Sequence, residues 1–154
     1  MKRKVRNYQN VIGGSASILN CGGLFLSGEW FHNIFQENGD PLSDVAPHLS
    51  QLLSKVEIAM EARGVNVQNN MHIAGYLAQS RLFANIDVRR YVVRFDECLD
   101  MVEVVKAYAD AMRDLLSQSL AVAAVNELLR GCRHELDTVP GLYAIFQVVS
   151  ATRL

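Results

Sequence analysis

Gly22-Gly23-Leu24-Phe25-Leu26-Ser27-Gly28-Glu29-Trp30 is a short apolar run closed by glycines at both ends, and its reading decides the fold. It is too short for a helix and has the length and bounds of a buried strand. Just ahead of it, Ser15-Ala16-Ser17-Ile18-Leu19-Asn20 reads as a first strand, and Asn20-Cys21-Gly22-Gly23 supplies the glycines of a tight hairpin turn. The run stops at Ser27-Gly28, where a glycine lets backbone approach a ligand or another chain closely. A polar-aromatic cluster of Glu29, Trp30 and His32 follows at once, so the strand end is a candidate site.

Working outward, residues 1–12 read as an arm. On the other side, Glu37-Asn38-Gly39-Asp40 marks a turn that tips a second hairpin or an exposed loop. A helix is expected from about Val45 to Arg63, because Val45, Leu49, Leu52, Leu53, Val56 and Met60 recur at helical spacing. Asp44 is placed to cap it, Pro47 falls in its first turn, and Arg63-Gly64 closes it. After a turn over residues 66–70, the run from Met71 to Leu77 reads as a short strand. Residues 79–95 carry Arg81, Arg89, Arg90 and Arg94 among apolar side chains, a pattern of either an extra strand from Val88 to Phe95 or an ordered loop.

A second helix begins at Asp100, with Glu103 as the return partner of a capping box. Met101, Val104, Val105, Tyr108, Met112, Leu115 and Leu116 form its apolar face. The stretch from Leu120 to Leu129 is open. Its alanines, Glu127 and Leu128 favour a helix continuing to Gly131, whereas Ser117-Gln118-Ser119 interrupts the run and a single helix from Asp100 to Arg130 is long for a small domain. Pro140-Gly141 then turns the chain, and Leu142 to Ser150 is apolar on both alternating faces, as a central strand should be. The order is strand, strand, helix, strand, helix, open element, strand, which defines an α+β fold with helices packed on one sheet.

The chain has 154 residues, half of them hydrophobic, with a formal net charge of −1, so it can bury a core as one domain and offers no field for nucleic acid or an anionic membrane. The basic start, Met1-Lys2-Arg3-Lys4-Val5-Arg6, is followed by no apolar segment long enough for a signal peptide or membrane span, and a cytoplasmic location is expected. Three cysteines without paired spacing fit reduced thiols. Cys132-Arg133-His134-Glu135 lacks a second ligand pair, so neither a metal nor a cofactor is expected. No glycine-rich phosphate loop stands in the strand-to-helix setting it requires.

Gly23-Leu24-Phe25-Leu26-Ser27-Gly28, the helix ending in Glu61-Ala62-Arg63-Gly64, the strand ending in Tyr76-Leu77, the stretch from Asp100-Met101 to Tyr108-Ala109 and the closing strand together resemble the RidA (reactive intermediate deaminase) family. The resemblance spans about Ser15 to Ala151. It implies a chorismate-mutase-like fold, with two helices on one face of a mixed sheet, and a homotrimer built around a central barrel. It makes residues 120–129 a strand and residues 79–95 an insertion. It also implies metal-free hydrolysis of an enamine or imine, such as 2-aminoacrylate, in clefts between subunits.

This sequence departs from that family where its chemistry resides. The carboxylate-binding arginine has no counterpart in Ser117-Gln118-Ser119-Leu120, and the glutamate of the last strand is matched by Gln147, which can orient a water but cannot take its proton. An asparagine of the second helix falls on Val105, and a tyrosine falls near Gly14. Glu29, Gln118 and Gln147 are therefore the candidates to direct water or protons. Trp30, His32, Tyr143 and Arg89 are the candidates to line a cleft for a small-molecule substrate. Two functions follow from the sequence: a specialised, RidA-like enzyme acting on a reactive metabolite, or a catalytically inactive small-molecule-binding or accessory protein of the same fold.

Overall fold

A computed structural model describes residues 8–154. The part of the expected arm before Tyr8 lies outside the described residues. The chain runs through α1 (Tyr8–Ile18), β1 (Leu24–Gln36), α2 (Leu42–Val45), α3 (Pro47–Ala62), a 3-10 turn (Val67–His72) and α4 (Ile73–Ser80). It continues through β2 (Phe83–Arg94), α5 (Leu99–Ala111), α6 (Arg113–Leu116), α7 (Val122–Thr138) and β3 (Leu142–Arg153).

The fold is α+β, with one three-stranded sheet in the order β1-β3-β2. The sheet is antiparallel, where a mixed one was expected. Gly22 N donates to Arg153 O at 2.8 Å while Glu37 N donates to Gly141 O at 2.9 Å, and Leu154 N donates to Leu82 O at 3.0 Å while Phe95 N donates to Leu142 O at 2.9 Å. Both edge strands thus run against β3, and both point the same way. The closing strand is central, as its two-faced apolar pattern requires.

By its contacts the chain divides into two compact units. The first comprises residues 8–31, 64–91 and 145–154. Its core joins Ile12 and Ala16 of α1 to Ile73 and Leu77 of α4, with Phe83, Val149 and Ala151 from the strands. In both helices the buried pair is four residues apart, the spacing of one helical face. This corrects two expected strands. Ser15 to Ile18 is helical, and its serines are accommodated because Ser15 Oγ donates to Val11 O at 2.9 Å and Ser17 Oγ to Gly14 O at 2.7 Å. Met71 to Leu77 is likewise a 3-10 turn followed by α4, because Ile73 and Leu77 bury a stripe and not alternate positions. The Gly22 turn is real, with φ of 83°, but it joins a helix to a strand.

The second unit comprises His32–Arg63 and Val92–Ala144. Here α3 packs on α7, and α5 and α6 complete a helical core built on Leu49, Leu52, Val56, Val105, Leu116 and Leu129. The expected helix at Val45 to Arg63 is α3 preceded by the single turn of α2. Pro47 stands at its first position, where the missing N–H is no loss, and Gly64 follows with φ of 80°. The expected caps are not used. Ala46 and Cys98 precede α3 and α5 and offer no side-chain acceptor, and Asp44 and Asp100 lie inside helical turns.

Residues 120–129 form no strand: α7 begins at Val122 and reaches Thr138. Val125, Leu128, Leu129, Cys132 and Leu136 make one buried stripe, and that burial decides in favour of the local helical propensity. Residues 83–94 form β2, a full edge strand longer than the one expected from Val88. The turn at Gly39 leads into α2, so no second hairpin forms there.

Candidate functional site

β1 does not stop at Gly28. It runs on through Glu29 and Trp30 to Gln36, and Gly28 serves a neighbouring ring, since a methyl group there would lie 2.9 Å from Phe146 Cζ. Phe146 also meets Trp30, with ring centroids 4.9 Å apart. The glycine is a seat for an aromatic side chain within the sheet and not an approach point for a ligand.

On the adjacent strand, Gln147 is 1% exposed. Its Oε1 accepts from Arg90 Nε at 3.0 Å, and its Nε2 donates to Asn70 O at 3.1 Å. The Asn70 amide donates in turn to Trp30 O, while Asn70 Oδ1 is buried and has no hydrogen-bond partner. The Arg90 guanidinium lies 5.4 Å from the centre of the Phe31 ring. In this cluster Gln147 holds β2 and the 3-10 turn to the central strand. One acceptor and one donor of its amide are engaged within the fold, and the side chain is buried away from a substrate.

The other expected residues take separate places. Glu29 receives a contact of 3.4 Å from Ser27 Oγ. Burial, and then the Glu29 charge and Tyr76, push the Tyr8 hydroxyl above its ordinary pKa. Arg89 is exposed and paired with Asp87 at 2.9 Å, which with Tyr91 raises its pKa. These two lie in the first unit. In the second, His32 Nε2 is 2.9 Å from Leu53 O, Gln118 Oε1 accepts from Arg63 Nη2 at 2.7 Å, and the Tyr143 ring stacks on Phe35 at 5.4 Å. Trp30 and Gln147 thus share one cluster, while His32, Gln118 and Tyr143 each serve a local contact in the other unit.

Sequence reasoning missed the most connected polar residue of the second unit. Glu135, 7% exposed, accepts from His48 N at 2.9 Å and Leu49 N at 2.8 Å, and from His48 Nδ1 at 2.6 Å. Those two amides open α3, whose own N-cap is Ala46, so a carboxylate from α7 caps it across the core. The His48 ring lies against Gly131, where any side chain would collide with it. A signal for this was present: Glu135 follows Cys132 by three residues on the buried stripe of α7.

The Glu135–His48 pair has the donor arrangement of a base and its orienting carboxylate, yet the nearby thiol is not a nucleophile. Burial, and then the Glu135 charge, push Cys132 up to about 12. No group of three or more His, Cys, Asp or Glu side chains able to hold a metal occurs among the described residues. In the second unit a cavity of about 260 Å³ opens between Phe95, Leu136, Pro140 and Leu142, with Asp96 and Asp137 at its lining, and it includes none of the expected site residues. No helix among the described residues is long and apolar enough to cross a membrane. No family model matches the chain, and no curated protein matches it.

Proposed function

We propose that this protein is an accessory protein that works by association and carries no acid–base chemistry of its own. The observation behind this reading is the outer strand β1. Leu24 and Leu26 are each 65% exposed and Trp30 is 42% exposed, at alternating positions that share one face of the sheet. Apolar side chains gathered on one strand face mark an interaction surface better than a reaction site. The polar groups suited to direct water support the same reading, because Gln147 is consumed inside the fold and Gln118 is held by Arg63. The deaminase chemistry implied by the RidA resemblance lacks its arginine and glutamate in this sequence; residues 15–20 and 71–77, read as strands from the sequence, and residues 120–129, which only the resemblance makes a strand, are largely helical.

Release of ketoacid and ammonia from 2-aminoacrylate generated in place tests the proposal. The expected rate equals that of buffer for the wild type and for Glu29→Ala and Gln147→Ala. An acceleration that either variant abolishes would overturn it and return the chain to the enzymes.

A further inference from the structure

One histidine of the helical unit is built differently from the other three in the chain. His48 Nδ1 lies 2.6 Å from Glu135 Oε1, and Glu135 is 7% exposed. The two Glu135 oxygens also accept backbone N–H groups, from His48 at 2.9 Å and from Leu49 at 2.8 Å. The carboxylate is thus an acceptor throughout, and the proton of the ring contact belongs to Nδ1. In the neutral ring the lone pair therefore stands on Nε2. Gly131 seats the ring, since a methyl group there would fall 2.3 Å from Cδ2 and Cγ and 2.7 Å from Nδ1. Glycine is the poorest helix former apart from proline, and inside α7 this one clears room for an imidazole. The His48 side chain is still 41% exposed. Capping α3 does not require the ring, because the amides that Glu135 receives are main chain. Among the described residues no other histidine pairs with a carboxylate: His32 Nε2 meets Leu53 O at 2.9 Å, and His72 lies against Tyr76.

A ring that forms a bond at Nε2 while Nδ1 keeps its proton becomes an imidazolium, and a carboxylate held at Nδ1 away from water opposes that charge as it develops. We infer that His48 Nε2 is a phosphoryl acceptor, with Glu135 the positioning residue that holds its tautomer and offsets the charge on the ring. A phosphoryl group suits this nitrogen because it is anionic and stands on a cationic ring at the positive end of a 16-residue helix, whereas an acyl group gains from neither. In the transfer the Nε2 lone pair forms the N–P bond, and the bond from phosphorus to the donor breaks with its electron pair leaving on the donor. From phosphoramidate, whose nitrogen is protonated, the leaving group is ammonia. Nδ1–H stays on Glu135 and no proton leaves the ring, so the step asks for no general base. The donor is of the phosphoramidate class and is positioned by its own carrier, because the opening of α3 has no amide left to hold a phosphate. Ala46 N donates to Leu42 O, Pro47 has no N–H, His48 N and Leu49 N serve Glu135, and Ser50 N donates to Ala46 O. The residue carries a group and turns over no substrate, and it stands apart from the association reading, which concerns β1.

Treatment of the whole protein with phosphoramidate tests this. Site-resolved mass spectrometry over a time course compares the histidines within one chain, so the first measurement needs no substitution. His48 is expected to be labelled about tenfold or more faster than His134, which is also exposed, with phosphorus NMR placing the group on Nε2. Glu135→Gln keeps a carbonyl acceptor for Nδ1 but no charge. It should bring the His48 rate down to that of His134, with the His134 rate and the circular dichroism as in the wild type. Equal rates at His48 and His134 in the wild type would overturn the inference and leave the pair as a helix cap only. Label on Nδ1, or an unchanged His48 rate in folded Glu135→Gln, would overturn it too. The association reading is decided separately, by enamine hydrolysis, which none of these outcomes touches.

Discussion

The two units solve the burial of polar groups differently. In the unit built on α3, α5 and α7, a carboxylate enters the core and meets three donors, two of them the opening amides of a helix. The pair is local to that unit, within its large helical core. In the unit built on α1 and α4 the core is smaller, the buried polar group is the neutral amide of Gln147, and an apolar strand face stays in contact with solvent. The helical unit also leaves Ile58, Leu99 and Val122 exposed, on three separate helices, whereas Leu24, Leu26 and Trp30 share one strand face. On the proposed reading, that strand face is the part of the molecule that associates.

The comparison is broken most severely at Glu135. Glu135→Ala leaves two helix-opening amides and an imidazole without their acceptor, and is expected to cost on the order of 3 kcal/mol in chemical denaturation. Glu135→Gln keeps one carbonyl acceptor and should cost less. If alanine costs under about 0.5 kcal/mol, the cross-core cap is not holding α3.

Gln147→Ala probes the other unit. It strands the Arg90 guanidinium and the Asn70 carbonyl and removes buried volume, for an expected loss of about 2 kcal/mol. A neutral result would show that this cluster is open to water in solution.

Cys132 gives a pH dependence of known sign. Its folded pKa is raised from 9.0 to about 12, so the unfolded thiol ionises first while the folded one keeps its proton. The stability it contributes is complete below pH 9 and is lost as pH rises toward 12. Denaturation midpoints of the wild type and Cys132→Ala should therefore converge over that interval, and a difference constant with pH would refute the burial argument. In the native state Cys132 should resist a thiol reagent that labels exposed Cys21 rapidly.

The smallest effect belongs to the bare strand. Leu24→Ser with Leu26→Ser should shift folding stability by no more than about 0.5 kcal/mol, because neither side chain is packed. A larger loss would mean that these residues belong to a core.

Much of the helical unit was legible from residue spacing. α3 and α5 follow from their apolar periods, Pro47 and Gly64 bound the first, and the two-faced pattern of β3 announces a central strand. α7 was legible in part: local propensity favoured a helix as far as Gly131, and Ser117-Gln118-Ser119 marked the break that separates α6 from α7. The site was less legible. Trp30 and Gln147 were singled out and do share a cluster, whereas Asn70, and the link from Arg90 to Gln147, come from a turn and a strand far apart in sequence.

The sequence by itself determined the class of the fold, the bounds of α3 to within two residues and the central place of β3, because these depend on residue type and near-neighbour spacing. Tertiary structure alone decided that residues 15–18 and 73–77 are helical, that β1 passes through Gly28, and that Glu135 caps a helix 86 residues away. Short apolar segments satisfy either period, and only the partner across the core selects one. A buried carboxylate is tolerable only where donors from another element reach it, and no local pattern records where those donors will be.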